Sequence, residues 1–452
     1  MNLKLVALSM SVLGLISSPV LADTVHKHKH HKRHHQVAHH DYKAMGAMPA
    51  AEVAPAPMAT TSYQSAILDQ MGQNVGNPKP MPEWFNRIGV SGGVNLDTGK
   101  WGSRTVADRA YVGTFDPATA SLFRAGYTGE NTKRYSLNNV YLNVGADVNE
   151  WSKAFASLSY TDASYNYSQA YQTTSDSTSL YNNNSQVNVE QAYLRISNFD
   201  CSPVFFEAGK SFQDYGRYTI HPITRSMTQV MSETLRTSLK LGFITDMGVH
   251  GSAYTFQNPV SEVNTSEKSL NWGAALGYAQ PNDQLGFDIG AGYMYNIFGV
   301  NDIGNTFAIS HTGGYHNRVG GLSAYADVNW EAFTVGARYT TALQSFSALD
   351  VAENMTHTNS GAKPWAAGLQ AGYDFNAWAK NQNLWVGYQV SNQTVFMNLP
   401  RQRWSVGYGI DVVKNTSLSA QWDHDVAYSV AQGGPGSGNS NLISVRAAVK
   451  FG

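Results

Sequence analysis

Between Val25 and His40 the chain reads VHKHKHHKRHHQVAHH, a stretch that holds eight of its fourteen histidines: His26, His28, His30, His31, His34, His35, His39 and His40. Imidazole is the commonest side-chain ligand for transition metals, and a tract this dense reads as metal binding by composition. The same stretch carries Lys27, Lys29, Lys32 and Arg33, whose permanent charges disfavour a cation. A backbone of this kind cannot preorganise a fixed coordination geometry. The tract therefore predicts weak to moderate metal binding, copper above nickel and zinc, and the protein is expected to require no cofactor. Below about pH 6.5 the histidines also charge, which suits contact with anionic lipid or lipopolysaccharide.

Other groupings have the residue types of catalysis without its spacing. Trp422-Asp423-His424-Asp425 sets a histidine between two carboxylates, as an oriented general base would be. On a strand, however, Asp423 and His424 project to opposite faces, and no Gly-x-Ser-x-Gly elbow accompanies them. Gly433 to Gly438 is rich in glycine but precedes no helix and lacks a Lys-Ser/Thr pair, so it reads as a loop and not as a phosphate cradle. Cys201 is the only cysteine, which excludes an internal disulfide, and nothing beside it marks a reactive thiol. The sequence thus predicts a protein that is not an enzyme.

The elements that would position these residues begin with a leader. Lys4 precedes an apolar run from Leu5 to Ile16, Ser17-Ser18-Pro19 breaks it, and Val20-Leu21-Ala22 ends in small residues. The run is too short to span a bilayer, so residues 1–22 read as a secretory signal peptide. Residues 23–83 are expected to form a disordered tail on the periplasmic side, with a short amphipathic helix at 63–75 and a proline-rich linker at Asn77 to Pro82. Net charge is −1, which gives no polybasic case for nucleic acid. Charged residues make up only 14%, against about 25% in an average soluble domain. No apolar run long enough for a membrane helix follows the leader.

From residue 84 to 452 the pattern changes to period two. Val140, Leu142, Val144, Ala146 and Val148 alternate with Asn139, Tyr141, Asn143, Gly145 and Asp147, the pattern of a strand with one apolar and one polar face. Strands are expected at 87–97, 139–148, 152–161, 187–197, 203–211, 234–243, 248–257, 270–279, 285–296, 319–329, 332–341, 365–375, 383–391, 402–411, 416–425 and 441–451. Their connections alternate between short turns, such as Asn149-Glu150, and long polar segments, such as Asp97 to Asn138, Asp162 to Gln186 and Leu343 to Pro364. Trp84, Phe85, Trp151, Tyr278, Trp330, Phe375, Trp378 and Phe451 gather beside the short turns, as a headgroup-level girdle requires. The fold class is therefore all-β: a transmembrane antiparallel up-and-down barrel of about sixteen strands, with short periplasmic turns and long external loops. Its location would be the outer membrane of a gram-negative bacterium, reached through the barrel assembly machinery, with Phe451 near the end of the last strand.

Strand parity then assigns an interior. Lys153, Arg195, Arg236, Lys240, Arg338, Arg403, Arg446 and Lys450 are expected to face the lumen, with Asp147, Glu207, Asp288, Asp327, Asp374 and Asp423. Arg195, Arg236, Lys240, Arg338, Arg403, Asp288, Asp327 and Asp374 are the candidate permeation path. The small basic excess suggests polar or anionic solutes, while pairing between opposite charges that only stiffens the wall is the competing reading. The tail is too short and too polar to form a folded plug. Phe396 to Arg401, apolar and basic for an external loop, either folds inward or packs on the rim; the rim is the expectation.

Val189-Glu190-Gln191-Ala192-Tyr193-Leu194, Glu207-Ala208-Gly209-Lys210, Tyr215-Gly216-Arg217-Tyr218, His221-Pro222-Ile223-Thr224, Ser232-Glu233-Thr234 and Leu239 to Phe243 follow in order. With Leu399 to Trp404 and Lys414 to Leu418, they resemble the legiobactin-receptor-type siderophore porins of gram-negative bacteria. The resemblance covers the chain from Trp84 onward. It implies a sixteen-stranded outer-membrane barrel without a plug domain, importing a ferric siderophore. It brings no established ligand-binding residues. A surface-loop binding protein of adhesin type, using the barrel as an anchor, and a general diffusion porin are the alternatives.

The tail generates a direct test. Titration calorimetry of a peptide covering residues 23–45 with zinc or copper at neutral pH is expected to show heat of binding; heat of dilution alone removes the metal-binding reading.

Overall fold

The computed structural model describes residues 88–101, 115–116, 121–122, 133–161, 186–218, 223–265, 267–280, 285–310, 314–353, 359–397, 399–432 and 439–451. The leader, the His tract, the helix expected at 63–75 and the proline-rich linker lie outside them.

Sixteen strands form one closed barrel: β1 (Ile88–Trp101), β2 (Lys133–Asp147), β3 (Ser152–Thr161), β4 (Gln186–Ser197), β5 (Val204–Phe212), β6 (Leu235–Ile244), β7 (Val249–Gln257), β8 (Leu270–Gln280), β9 (Leu285–Met294), β10 (Gly321–Trp330), β11 (Phe333–Ala342), β12 (Trp365–Ala377), β13 (Lys380–Asn392), β14 (Gln402–Val413), β15 (Thr416–Val426) and β16 (Asn439–Phe451). Each pairs antiparallel with its neighbour in sequence, and β1 pairs with β16 through Gly92↔Phe451 to Trp101↔Leu442. All sixteen expected strands are present. The first two reach further than expected, to Trp101 and from Lys133, so the first long loop is shorter than Asp97 to Asn138.

The short turns owe their tightness to backbone chemistry. Trp378 and Ala379, the two residues between β12 and β13, both adopt positive φ (53° and 55°), the twist a two-residue hairpin demands. Gly248 ends the β6–β7 turn at φ 89°, where an added Cβ would lie 1.9 Å from the carbonyl oxygen of Ala279. Only glycine fits there.

Outside, the barrel is apolar. Leu241, Leu276, Ile289, Leu369, Val386 and Ile443 are exposed, while their strand neighbours Lys240, Asp288, Gln370 and Ser444 are buried. An apolar surface running round the whole barrel needs a hydrocarbon solvent. Two aromatic belts border it. Trp330, Phe333, Tyr373 and Phe375 form a contact chain at the short-turn end. Trp272 with Tyr295, Tyr339 with Trp365 and Tyr388 with Trp404 pack at the long-loop end. The sequence reading found only the first belt.

Among the described residues two α-helices, α1 (Met227–Ser232) and α2 (Asn301–Ser310), lie in long connections between strands, where the sequence reading predicts no helix. Neither is long enough for its period to stand out. Met227 and Met231 of α1 join Phe298, Ile303, Phe307, Tyr315 and Phe346 in an apolar cluster with the inner faces of Tyr254, Phe256 and Ala366. The segment from Phe396 corrects the expectation of rim packing: Met397 is buried in that cluster, and Phe396 and Leu399 pack against it. Their side chains are apolar, and inside the outer mouth they leave water.

Membrane exposure makes a prediction. Leu276 is 61% exposed between the belts, so Leu276→Arg is expected to cost roughly 2–4 kcal/mol in urea unfolding from lipid vesicles. Leu270→Arg, at the outer end of the same strand, is expected to cost about 0–1 kcal/mol. Equal costs would show that β8 does not face lipid.

Candidate functional site: a strap across the lumen

In the connection from β5 to β6, the described residues 213–218 and 223–234 do not stand away from the barrel. They run into the lumen and are held by side chains of distant strands. At the start of the connection, Asp214 accepts a hydrogen bond from Ser252 on β7 (2.5 Å) and pairs with Lys240 on β6 (3.3 Å). Tyr215 passes close over Gly292 and Gly321, where side chains would collide with it. Arg217 then pairs with Asp288 on β9 (2.7 Å) and approaches Asp327 on β10 (3.6 Å), its guanidinium over the Tyr325 ring. Arg338 on β11 donates to the Tyr218 carbonyl (3.0 Å) and pairs with Asp327 (2.8 Å).

The far end of the strap reaches the opposite wall. Gln421 on β15 accepts from the Ile223 amide (2.5 Å), and Arg446 on β16 donates to the Ile223 carbonyl (3.3 Å). Thr224 donates to Asp423 on β15 (3.1 Å). Arg403 on β14 donates to the Arg225 carbonyl (3.3 Å), and Gln389 on β13 accepts from the Met227 amide (2.7 Å). Arg225 itself pairs with Asp302 of α2 (2.7 Å) and with Glu233 (3.3 Å). The described parts of the connection are thus tied to two different walls, 213–218 to β6–β11 and 223–234 to β13–β16. The connection is a strap.

Of the candidate lumen residues named from sequence, Glu207, Lys240, Asp288, Asp327, Arg338, Asp374, Arg403 and Asp423 are buried, Arg195, Arg236, Arg446, Lys153 and Lys450 are half-buried, and Asp147 is exposed. Arg195 pairs with Glu207 (2.8 Å), which also lies 3.7 Å from Lys240. Arg403 grips Asp425 with two nitrogens (2.7 and 2.9 Å). Asp374 accepts from Asn383 (2.6 Å), and Arg236 donates to the Gly299 carbonyl (3.1 Å). Arg446 holds Asp97 (2.8 Å), whereas Lys153 and Asp147 meet only at the solvated short-turn end (3.5 Å). Asp97, Asp214 and Asp425 were absent from the sequence tally, and with them the basic excess disappears. Arg217, Thr224, Gln389 and Gln421 were also missed as site residues. Parity says nothing about a side chain in a connection, and the sequence signals there are Tyr215-Gly216-Arg217-Tyr218 and His221-Pro222-Ile223-Thr224, both read as family motifs.

Buried ion pairs of this kind gain little net stability, because desolvation offsets their attraction; they fix geometry, and losing one partner is costly. Among groups outside the spanning strands, burial pushes the Tyr428 hydroxyl up, so it stays protonated beside Ser391 (2.8 Å) and Thr394 (3.1 Å). Asp423 and His424 are parted as strand parity requires: Asp423 faces the lumen, while His424 bonds Asn441 (2.9 Å) beside Trp422. Among the described residues no three His, Cys, Asp or Glu side chains gather into a metal-binding group.

No family profile matches the chain. A UPF0422 protein of Coxiella burnetii is 25% identical over 306 residues, 67% of this chain and 61% of that protein. A UPF0422 protein of Legionella pneumophila (strain Lens) is 24% identical over 340 residues, 72% of this chain and 61% of that protein. The chain thus spans about 61% of the length of the curated relatives it matches. Among solved structures, OprB of Pseudomonas putida at high pH superposes with a TM-score of 0.52 at 12% identity, covering 80% of this chain and 94% of its own. That likeness concerns the barrel fold.

The latch can be tested directly. Arg217→Ala leaves Asp288 and Asp327 one cation short, with an expected loss of about 3–5 kcal/mol in urea unfolding. In a double-mutant cycle, adding Asp288→Asn is expected to recover part of that loss. Additive single effects would show that the pair does not fasten the strap.

Proposed function

We propose that the protein is an outer-membrane channel of a gram-negative bacterium, passing a small polar solute through a barrel narrowed by its strap. The strap carries the reading. A barrel that served only as an anchor for surface loops would not need a polar segment fastened across its lumen by Arg217, Thr224 and the carbonyls of Tyr218, Ile223 and Arg225. Such a segment restricts the cross-section and lines it with charge, which is how a wide barrel discriminates between solutes.

The particular solute we infer is a ferric siderophore, on the family resemblance of the barrel segments. In this reading the strap yields during passage. The pairing between Arg217 and Asp288 is the contact it must loosen.

Planar-bilayer recording tests the channel. The wild-type protein is expected to give small conductance steps, and Arg217→Ala combined with Thr224→Ala is expected to give steps several-fold larger. A barrel without conductance in either form removes the channel reading. Uptake of labelled ferric siderophore by deletion and complemented strains tests the solute, and equal uptake in the two removes it.

A further inference from the structure

Positive and negative groups are unevenly matched around the lumen. Arg195, Lys240, Arg338, Arg403 and Arg446 each pair with a wall or strap carboxylate, and Arg217 of the strap pairs with Asp288. Asp374 on β12, Asp411 on β14 and Asp423 on β15 make no salt bridge among the described residues, and neutral groups hold them instead. Asn383 donates to Asp374 (2.6 Å) and Asn381 to Asp411 (3.3 Å). Asp423 accepts from Ser405 (2.5 Å), Gln421 (2.8 Å) and Thr224 (3.1 Å).

Acceptor oxygens remain open beside them. Oδ2 of Asp374, Oδ1 of Asp411 and Oδ1 of Asn383 meet no donor, although Asp374 is 1% exposed and Asn383 is 0% exposed. Nearby cations do not settle the balance. Arg403 near Asp423 is already held by both oxygens of Asp425. Lys380 and Lys450 lie near Asp411 at the half-buried short-turn rim, where water and salt weaken them, and Lys380 also donates to the Val412 carbonyl. Arg236, whose guanidinium donates to the Gly299 carbonyl, is on β6. In the sixteen-strand ring β6 stands half a circuit from β14.

These positions have an order along the barrel. Asp423 sits at strap level, where Thr224 reaches it. Asp374 pairs in register with Asn383, close to the Trp378-Ala379 turn, and Asp411 with Ser417, close to the β14–β15 turn. A solute leaving the strap towards the short-turn end therefore meets one carboxylate after another along one wall. A buried carboxylate whose hydrogen-bond donors are neutral carries a desolvation cost that an incoming cation relieves, and a lumen with low-dielectric walls focuses that field.

The geometry points to a cation lane: Asp423, Asp374 and Asp411 make the path beyond the strap selective for small cations, inorganic or ammonium-type. The inference rests on the channel reading. It gives that channel a charge preference opposite to the anionic one suggested by strand parity, and it sets the lane against any chelate with net negative charge.

The reversal potential of the full-length protein in planar bilayers, under a potassium chloride gradient, tests the lane. The wild type is expected to pass potassium several-fold better than chloride. Asp374→Asn with Asp423→Asn is expected to bring the permeability ratio towards unity, while Asp147→Asn at the solvated rim leaves it unchanged. A wild-type ratio at or below unity overturns the lane, as does a double variant that keeps the wild-type ratio. If the double variant fails to fold, shown by loss of heat-modifiable migration on gels, Asp411→Asn and the wild-type sign decide the matter. Absence of conductance in the wild type defeats the channel reading and the lane with it; conductance of the wrong sign defeats the lane alone.

Discussion

In hydrocarbon a backbone amide has no partner except another strand, and this constraint governs the whole molecule. It is met by the pairing of β1 with β16, which turns a sheet with two open edges into a ring with none. At the seam the ring of Phe451 lies over Gly92, which has no side chain to obstruct it. Closure then dictates alternation, since every strand must give one face to lipid and the other to the interior. Leu276 and Asp288 lie on opposite sides of the wall for the same reason.

The interior is solved differently from the outside. A ring of this size encloses more space than wall side chains fill, and the chain supplies the remainder from its own connections. The strap enters with polar groups and finds polar groups waiting; α1, α2 and Met397 enter at the outer mouth with apolar ones and make an apolar core there. Glycines on inward positions make room. Gly407 leaves the wall flat enough for the Trp385 ring to lie against it, since a Cβ there would come within 2.1 Å of that ring.

How much of this was legible in sequence follows from periodicity. Val140 to Val148 alternates over a whole strand, so its existence, its faces and its place in a barrel could all be read. Arg195, Arg338 and Asp327 were placed in the lumen by the same rule. The rule stops where the strands stop. Arg217 and Thr224 lie in a connection without a period, and their partners Asp288 and Asp423 lie on strands far away in sequence. The alternation of β1 weakens towards Trp101, so from sequence Asp97 reads as the edge of a loop. The balance of charge was accordingly misjudged, since Asp97, Asp214 and Asp425 belong to the interior as much as the arginines do.

The strap also records the order in which the molecule becomes complete. Its seats on Gln421 and Arg446 lie 198 and 223 residues further along the chain, on the last two strands. A barrel that lacks β15 and β16 still offers the strap Gln389 and Arg403, but not its seats on Gln421, Asp423 and Arg446. The fully fastened state is therefore a property of the finished ring. In this protein the last strands to be made both seal the wall and hold the obstruction in place.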